Sequence, residues 1–125
     1  MKLYPIRAGV LLINVLATST ALAAGDPTAG KTVFSAHCAA CHSTNPDENK
    51  IGPSLAGIVG SKSGAVPGFN FSTAMKEANV TWDDANLDKY LANPNAFVHG
   101  TKMFINLPSE TDRANVIAYL NTLKK

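Results

Sequence analysis

Two cysteines and a histidine stand together at Cys38-Ala39-Ala40-Cys41-His42, and the 125 residues contain no further cysteine. In an oxidising compartment a cysteine pair first suggests a disulfide. A bridge between positions three apart, however, closes too short a loop to staple a domain. Structural zinc needs four ligands, and neither a second cysteine pair nor a His-x₃₋₅-His partner exists. A thioredoxin-type redox pair would sit in a strand–helix alternation that this chain lacks. What remains is C-x-x-C-H, the attachment sequence for c-type haem. Each thiol adds across one vinyl group of the porphyrin, and two intervening residues let both sulfurs reach neighbouring vinyls. The adjacent His42 imidazole is then held against the iron as an axial ligand. One covalent haem c, anchored through Cys38 and Cys41, is the expected cofactor.

A second axial ligand must come from elsewhere in the chain. Besides the initiator, the methionines are Met75 and Met103, and the other histidines are His37 and His99. His37 abuts the attachment loop and cannot readily swing to the opposite haem face. Met75 lies in the helical-looking stretch Ser72–Ala78, where packing in the core is its ordinary role. Met103 lies between Pro94 and Pro108 in a stretch without helical periodicity, where a loop can drape across the haem and present a thioether. Met103 is therefore the better candidate, with His99 as its competitor.

The rest of the chain has to place these groups. A positive start (Lys2, Arg7), the apolar run Ala8–Ala17 and the small-residue signal Ala21-Leu22-Ala23 read as a secretory signal peptide over residues 1–23, cut after Ala23. Its apolar core is shorter than the roughly 20 residues a membrane span needs, so stable membrane insertion is not expected. The domain is then residues 24–125, exported to the periplasm. Lysine and arginine number 11 against 9 acidic residues in the whole chain, a net charge of +2. Losing Lys2 and Arg7 leaves nine of each sign, which excludes a dedicated nucleic-acid binder. With 46% apolar and 16% charged residues, the chain is also too apolar to be disordered.

Helix signals are local and clear. Asp26-Pro27 is an N-cap followed by proline at the first helical position, opening a helix that runs towards Cys41. Asp83, or the box Thr81-x-x-Asp84, caps a second helix carrying Leu87, Tyr90 and Leu91, with Pro94 ending it. Ser109-x-x-Asp112 opens the best-defined helix, where Val116, Ile117, Leu120 and Leu123 recur at helical spacing. From His42 to Phe71 only loop chemistry is present. About 30 residues without an element count against a compact domain, unless a buried porphyrin supplies the apolar surface on which the loop packs.

With these residues in place, the chain resembles a small soluble class I cytochrome c from about Gly25 to its C-terminus. Ile51-Gly52-Pro53-Ser54-Leu55, Gly68-Phe69, Ala74-Met75-Lys76, Trp82, Tyr90-Leu91, Asn93-Pro94, Gly100-Thr101-Lys102-Met103 and Ile117-Ala118-Tyr119-Leu120 match in order. Gly30 and Phe34 fall where the family's first helix meets its last. The resemblance implies an all-α fold, three to five helices with long loops wrapped around one haem, and His42 and Met103 as axial ligands. It implies further that the Pro53 carbonyl accepts the second N–H of His42, fixing its tautomer and raising its basicity. Trp82, Tyr90 and Thr101 are implied near the methionine and the propionates. Three departures stand out: Ser61 replaces an arginine and Phe71 a tyrosine that reach a propionate, and His99 replaces a proline before the Gly-Thr-Lys-Met run.

The function expected from this reading is mobile one-electron transfer between exported or membrane-bound redox proteins, such as a membrane cytochrome complex, an oxidase or a dehydrogenase. Two axial ligands leave no open position for a substrate, so the chain is not expected to be an enzyme. The competing reading is a haem protein with a labile Met103 that binds gas ligands or has weak peroxidase activity. Ferric haem with two ionised propionates adds about −1, giving a near-neutral, monomeric holoprotein. Docking is expected to be transient and weakly salt-dependent, led by apolar residues around Ala39, Ala40 and Ile105.

Overall fold

The computed structural model describes residues 2, 5, 9–15 and 24–125. Arg7 and the expected cleavage signal Ala21–Ala23 lie outside the described residues. Among those described, the regular structure is helical: α1 Pro27–His37, α2 Thr73–Glu77, α3 Asp84–Ala92, α4 Pro94–Phe97 and α5 Glu110–Thr122. No helix among them is long and apolar enough to cross a membrane.

Each N-terminus is set by a short polar side chain taking an otherwise orphaned backbone N–H. The Asp26 carboxylate accepts from the Thr28 N–H at the head of α1, with Pro27 in the first turn. Asp83, rather than Thr81, caps α3 through the Asn86 N–H, and Ser109 caps α5 through the Asp112 N–H. Helix α1 stops at His37, short of Cys41, so the attachment residues follow the helix in a run of turns. Pro94 ends α3 as expected but also opens the short α4, because Asn93 turns into an N-cap for the Ala96 N–H. That second role went unanticipated.

Helices α1 and α5 cross in direct contact. A Cβ on Gly30 would collide with the Asn115 carbonyl, so only glycine lets the two backbones meet there. Phe34 packs edge-on against Tyr119, ring centroids 5.5 Å apart, and Val116 at the crossing is 1% exposed. Arg113 then ties α5 to its surroundings. Its Nε donates to Asp88 of α3 at 2.7 Å, while Nη1 donates to the carbonyls of Leu107 and Pro108.

The long segment 43–72 contains turns and no named helix or strand. Its far end is pinned to residues 80–82 by the Lys62–Thr81 bridge and the bonds Gly60 N–H to Trp82, Ser63 N–H to Val80 and Trp82 N–H to Ser61. One core cluster joins Phe34, Ile58, Met75, Trp82, Leu87, Tyr90, Leu91, Val98, Leu107, Val116, Ile117 and Leu120. Ile58 of the loop shares this core with the helices, and Leu55, Val59, Val66 and Phe71 pack against it.

Candidate functional site

An apolar cleft of about 300 Å³ opens between the long loop and the segment after α4. Cys38, Cys41 and His42 line one side, and Thr101, Lys102, Met103, Phe104 and Ile105 line it as well. The floor comes from the core: Ile58, Met75, Trp82, Leu87, Tyr90, Leu91, Val116 and Leu120. Leu55, Val66, Phe69 and Phe71 complete the walls from the loop. Cys38, Cys41, His42, Pro53, Trp82, Tyr90, Thr101 and Met103 therefore converge on one concavity, whereas His99, the competing ligand candidate, does not line it.

His42 has a defined orientation. Its Nδ1 lies 2.7 Å from the Pro53 carbonyl, so Nδ1–H donates there and Nε2 is the nitrogen left to bind a metal. Gly52 is needed for this arrangement, since a Cβ at that position would run into the imidazole. Burial pushes the His42 pKa down, partly offset by the Pro53 bond, and Lys50 adds a smaller downward push. The imidazole is consequently held neutral, the form that ligates iron. Burial, aided by Cys41, pushes the Cys38 thiol up to about 11, keeping it protonated at neutral pH. The two cysteines are not joined to each other in a disulfide.

Across the cleft, Tyr90 and Thr101 are both buried, and their hydroxyl oxygens are 2.7 Å apart. The Met103 N–H donates to the same Thr101 hydroxyl at 3.3 Å. Tyr90 in turn belongs to an aromatic group with Trp82, centroids 5.0 Å apart, and Phe97 at 6.4 Å. Met75 and Met103 both reach the cleft wall. Met75 is buried in the core on α2, whereas Met103 is half-buried on an irregular segment. Lys102 Nζ donates to the Asn70 carbonyl at 2.8 Å and straps this segment to the long loop.

The rim is more apolar than expected from the sequence. Ala39 is half-buried and Ala40 and Ile105 are exposed, but Phe104 is 91% exposed and Ile51 78% exposed, and both line the cleft. Phe104 could have been found as the apolar neighbour of the candidate ligand. Ile51 carried no such signal, because its exposure depends on the turn that brings Gly52 to His42. Lys50 Nζ donates to the Ala39 carbonyl at 2.6 Å.

These features fit haem c. Two thiols and a neutral, oriented imidazole sit on the wall of a largely apolar cleft, with a thioether on the same wall system. The described residues show no cluster of three or more His, Cys, Asp or Glu that could hold a bare metal ion.

Comparison with known proteins points the same way. Residues 27–124 match the sequence model of the family described as Cytochrome c. The chain is 51% identical over 107 residues to a cytochrome c2 of Rhodomicrobium vannielii, covering 84% of this chain and 85% of that protein. Among solved structures, cytochrome cH from Methylobacterium extorquens superposes with a TM-score of 0.73 at 43% identity, covering 78% of this chain and 99% of that one. A cytochrome c2 from Rhodospirillum centenum gives 0.75 at 37% identity, covering 81% and 100%.

Proposed function

The chain belongs to the cytochrome c family, and from that premise we propose that it is a mobile one-electron carrier with His42 and Met103 as the axial ligands of its haem c. The family consists of electron carriers rather than enzymes, and haem c is attached through Cys38 and Cys41. One contrast carries the ligand assignment: beside the anchored His42 imidazole and both cysteines, Met103 lines the cleft from an irregular segment, whereas Met75 is buried in the core on α2.

Bound haem supplies a one-electron iron couple, and a histidine–methionine pair raises its potential relative to two histidines. The protein's part is positioning. Pro53 orients His42, the Tyr90–Thr101 pair holds the backbone at Met103, and the core residues of the cleft exclude water. Trp82, Tyr90 and Thr101 supply polar tips for the propionates and the methionine.

Residues 1–23 act as a cleaved signal peptide, which places the domain of residues 24–125 in the periplasm. Its partners there are a membrane cytochrome complex, an oxidase or a dehydrogenase. They dock transiently on apolar residues around Ala39, Ala40 and Ile105, with little dependence on salt.

The optical spectrum of the purified holoprotein, oxidised and reduced, with and without carbon monoxide, tests this reading. A low-spin, six-coordinate reduced form that ignores carbon monoxide, with a far-red thioether–iron(III) band when oxidised, is expected. Rapid carbon monoxide binding would instead support a gas-binding protein with a labile Met103.

A further inference from the structure

Beside the cleft lies a polar cluster that neither haem attachment nor the iron ligands account for. Ser43 and Ser54 are 7% and 3% exposed, and each follows one half of the His42–Pro53 hydrogen bond in the chain. The Ser43 hydroxyl donates to Glu48 Oε2 at 2.7 Å and accepts the Asn45 N–H at 2.9 Å. Asn45 Nδ2 donates to the same Glu48 oxygen at 2.6 Å. The Ser54 hydroxyl donates to the Asn45 carbonyl at 2.6 Å, so Asn45 joins the two serines and Glu48 braces the Ser43–Asn45 half of that link.

We propose that Glu48 is a positioning residue for the iron-ligating histidine, holding the segments of His42 and Pro53 at hydrogen-bonding distance through Ser43, Asn45 and Ser54. The inference rests on His42 being an axial ligand. Backbone bonds from the Gly52 N–H to Cys41 and from the Leu55 N–H to Ser43 bracket the same pair of segments, and within the turn the Lys50 N–H donates to the Gly52 carbonyl and the Ser54 N–H to Asn49 Oδ1. Glu48 braces the Ser43–Asn45 side of that turn, on which the Ser54 hydroxyl rests, by collecting two donors on one oxygen. Hydrogen bonds to a carboxylate are roughly twice as strong as neutral ones. Those two bonds hold the Glu48 carboxyl below its ordinary range, so it remains ionised at neutral pH. Removing the carboxylate leaves the Ser43 hydroxyl and the Asn45 amide without their acceptor. The Asn45 carbonyl that accepts from Ser54 then shifts, and the His42 Nδ1–H bond to Pro53, which raises the ligand's basicity, weakens.

Glu48→Gln and Glu48→Ala separate position from charge, because glutamine's carbonyl oxygen can accept both bonds without carrying a charge. In the reduced holoprotein, NMR exchange of the His42 Nδ1 proton should be about tenfold faster in E48A and within about threefold of wild type in E48Q. The reduction potential of E48A should lie above that of E48Q, and the Gly52 and Leu55 amides should lose protection in E48A alone. Equal exchange and equal potential in the two variants would overturn the role. Should E48A yield no holoprotein, Ser43→Ala takes its place against E48Q with the same expected order and the same overturning result. A wild-type holoprotein without a histidine-ligated spectrum overturns the ligand reading and this role together. With that signature present, a failure falls on Glu48 alone.

Discussion

The Tyr90 hydroxyl meets the Thr101 hydroxyl at 2.7 Å, both residues buried, so helix α3 grips the segment that carries Met103. Thr101 Oγ1 also accepts the Met103 N–H, and one hydroxyl thereby links the core aromatic group to the candidate ligand. Tyr90→Phe and Thr101→Val should each cost about 1 kcal/mol. Because they share one bond, the double variant should cost measurably less than the sum. Denaturant unfolding of the four proteins checks this, and strict additivity would argue that the hydroxyls act independently.

The same pair has a pH signature. Burial raises the Tyr90 pKa, and the Thr101 bond offsets this only in part. The folded state therefore keeps the tyrosine proton where the unfolded chain loses it. Its contribution is complete below the unfolded value of about 10 and is lost as pH rises through the higher folded value. Wild type should lose stability relative to Tyr90→Phe above about pH 10. Parallel pH profiles of the two proteins would contradict that.

Met103 and Met75 both reach the cleft, and substitution separates them. Methionine-to-leucine changes conserve volume and cost less than about 1.5 kcal/mol, so both variants should fold. Met103→Leu should abolish the far-red thioether–iron(III) band and admit carbon monoxide. Met75→Leu should keep the band. The reverse pattern would move the ligand to α2.

Alkali should displace Met103, with Lys102 or His99 as the replacing group, since His99 stands where a stiffening proline is common. The structure adds two restraints on this segment. Asn95 Oδ1 accepts the Gly100 N–H at 3.1 Å, and Lys102 is strapped to the Asn70 carbonyl. Gly100 has φ +97°, so this turn depends on glycine as well as on the Asn95 bond. Asn95→Ala should lower the midpoint at which the far-red band disappears by about one pH unit, equivalent to about 1.4 kcal/mol. A band that persists in alkali for both proteins would refute the displacement.

Gly30→Ala places a Cβ against the Asn115 backbone, where neither helix can yield without losing the Phe34–Tyr119 contact. The cost should be about 2–3 kcal/mol despite alanine's higher helix propensity, a fall in Tm of roughly 10 °C or more for a domain of this size. A thermal melt of the holoprotein at the wild-type temperature would show that the helices can slide apart.

Several features were readable along the chain because their causes are local. The C-x-x-C-H spacing is a covalent constraint, and the caps Asp26, Asp83 and Ser109 act on N–H groups two or three residues away. The unanticipated features are long-range or depend on a turn. Pro94 starts a helix only because Asn93 is left extended, with φ −157° and ψ 91°, and free to cap it. Ile51 is exposed because Gly52 has to approach the His42 ring. The Glu48 cluster joins four polar residues whose types alone describe any solvated loop.

By itself, the sequence determined the chemistry this protein can carry: two thiols and an imidazole at a spacing that a porphyrin fits, and helices that begin where the caps Asp26, Asp83 and Ser109 stand. Those are contacts between neighbours, set by covalent geometry and by the first backbone turn. Only the tertiary structure decided which distant groups face the same cleft. The Pro53 carbonyl accepts the His42 Nδ1–H, Thr101 meets Tyr90, and a missing Cβ at Gly30 lets α1 rest on α5. Such pairings depend on how the chain closes around its core, and the pattern of residue types along the chain does not state the distance between them.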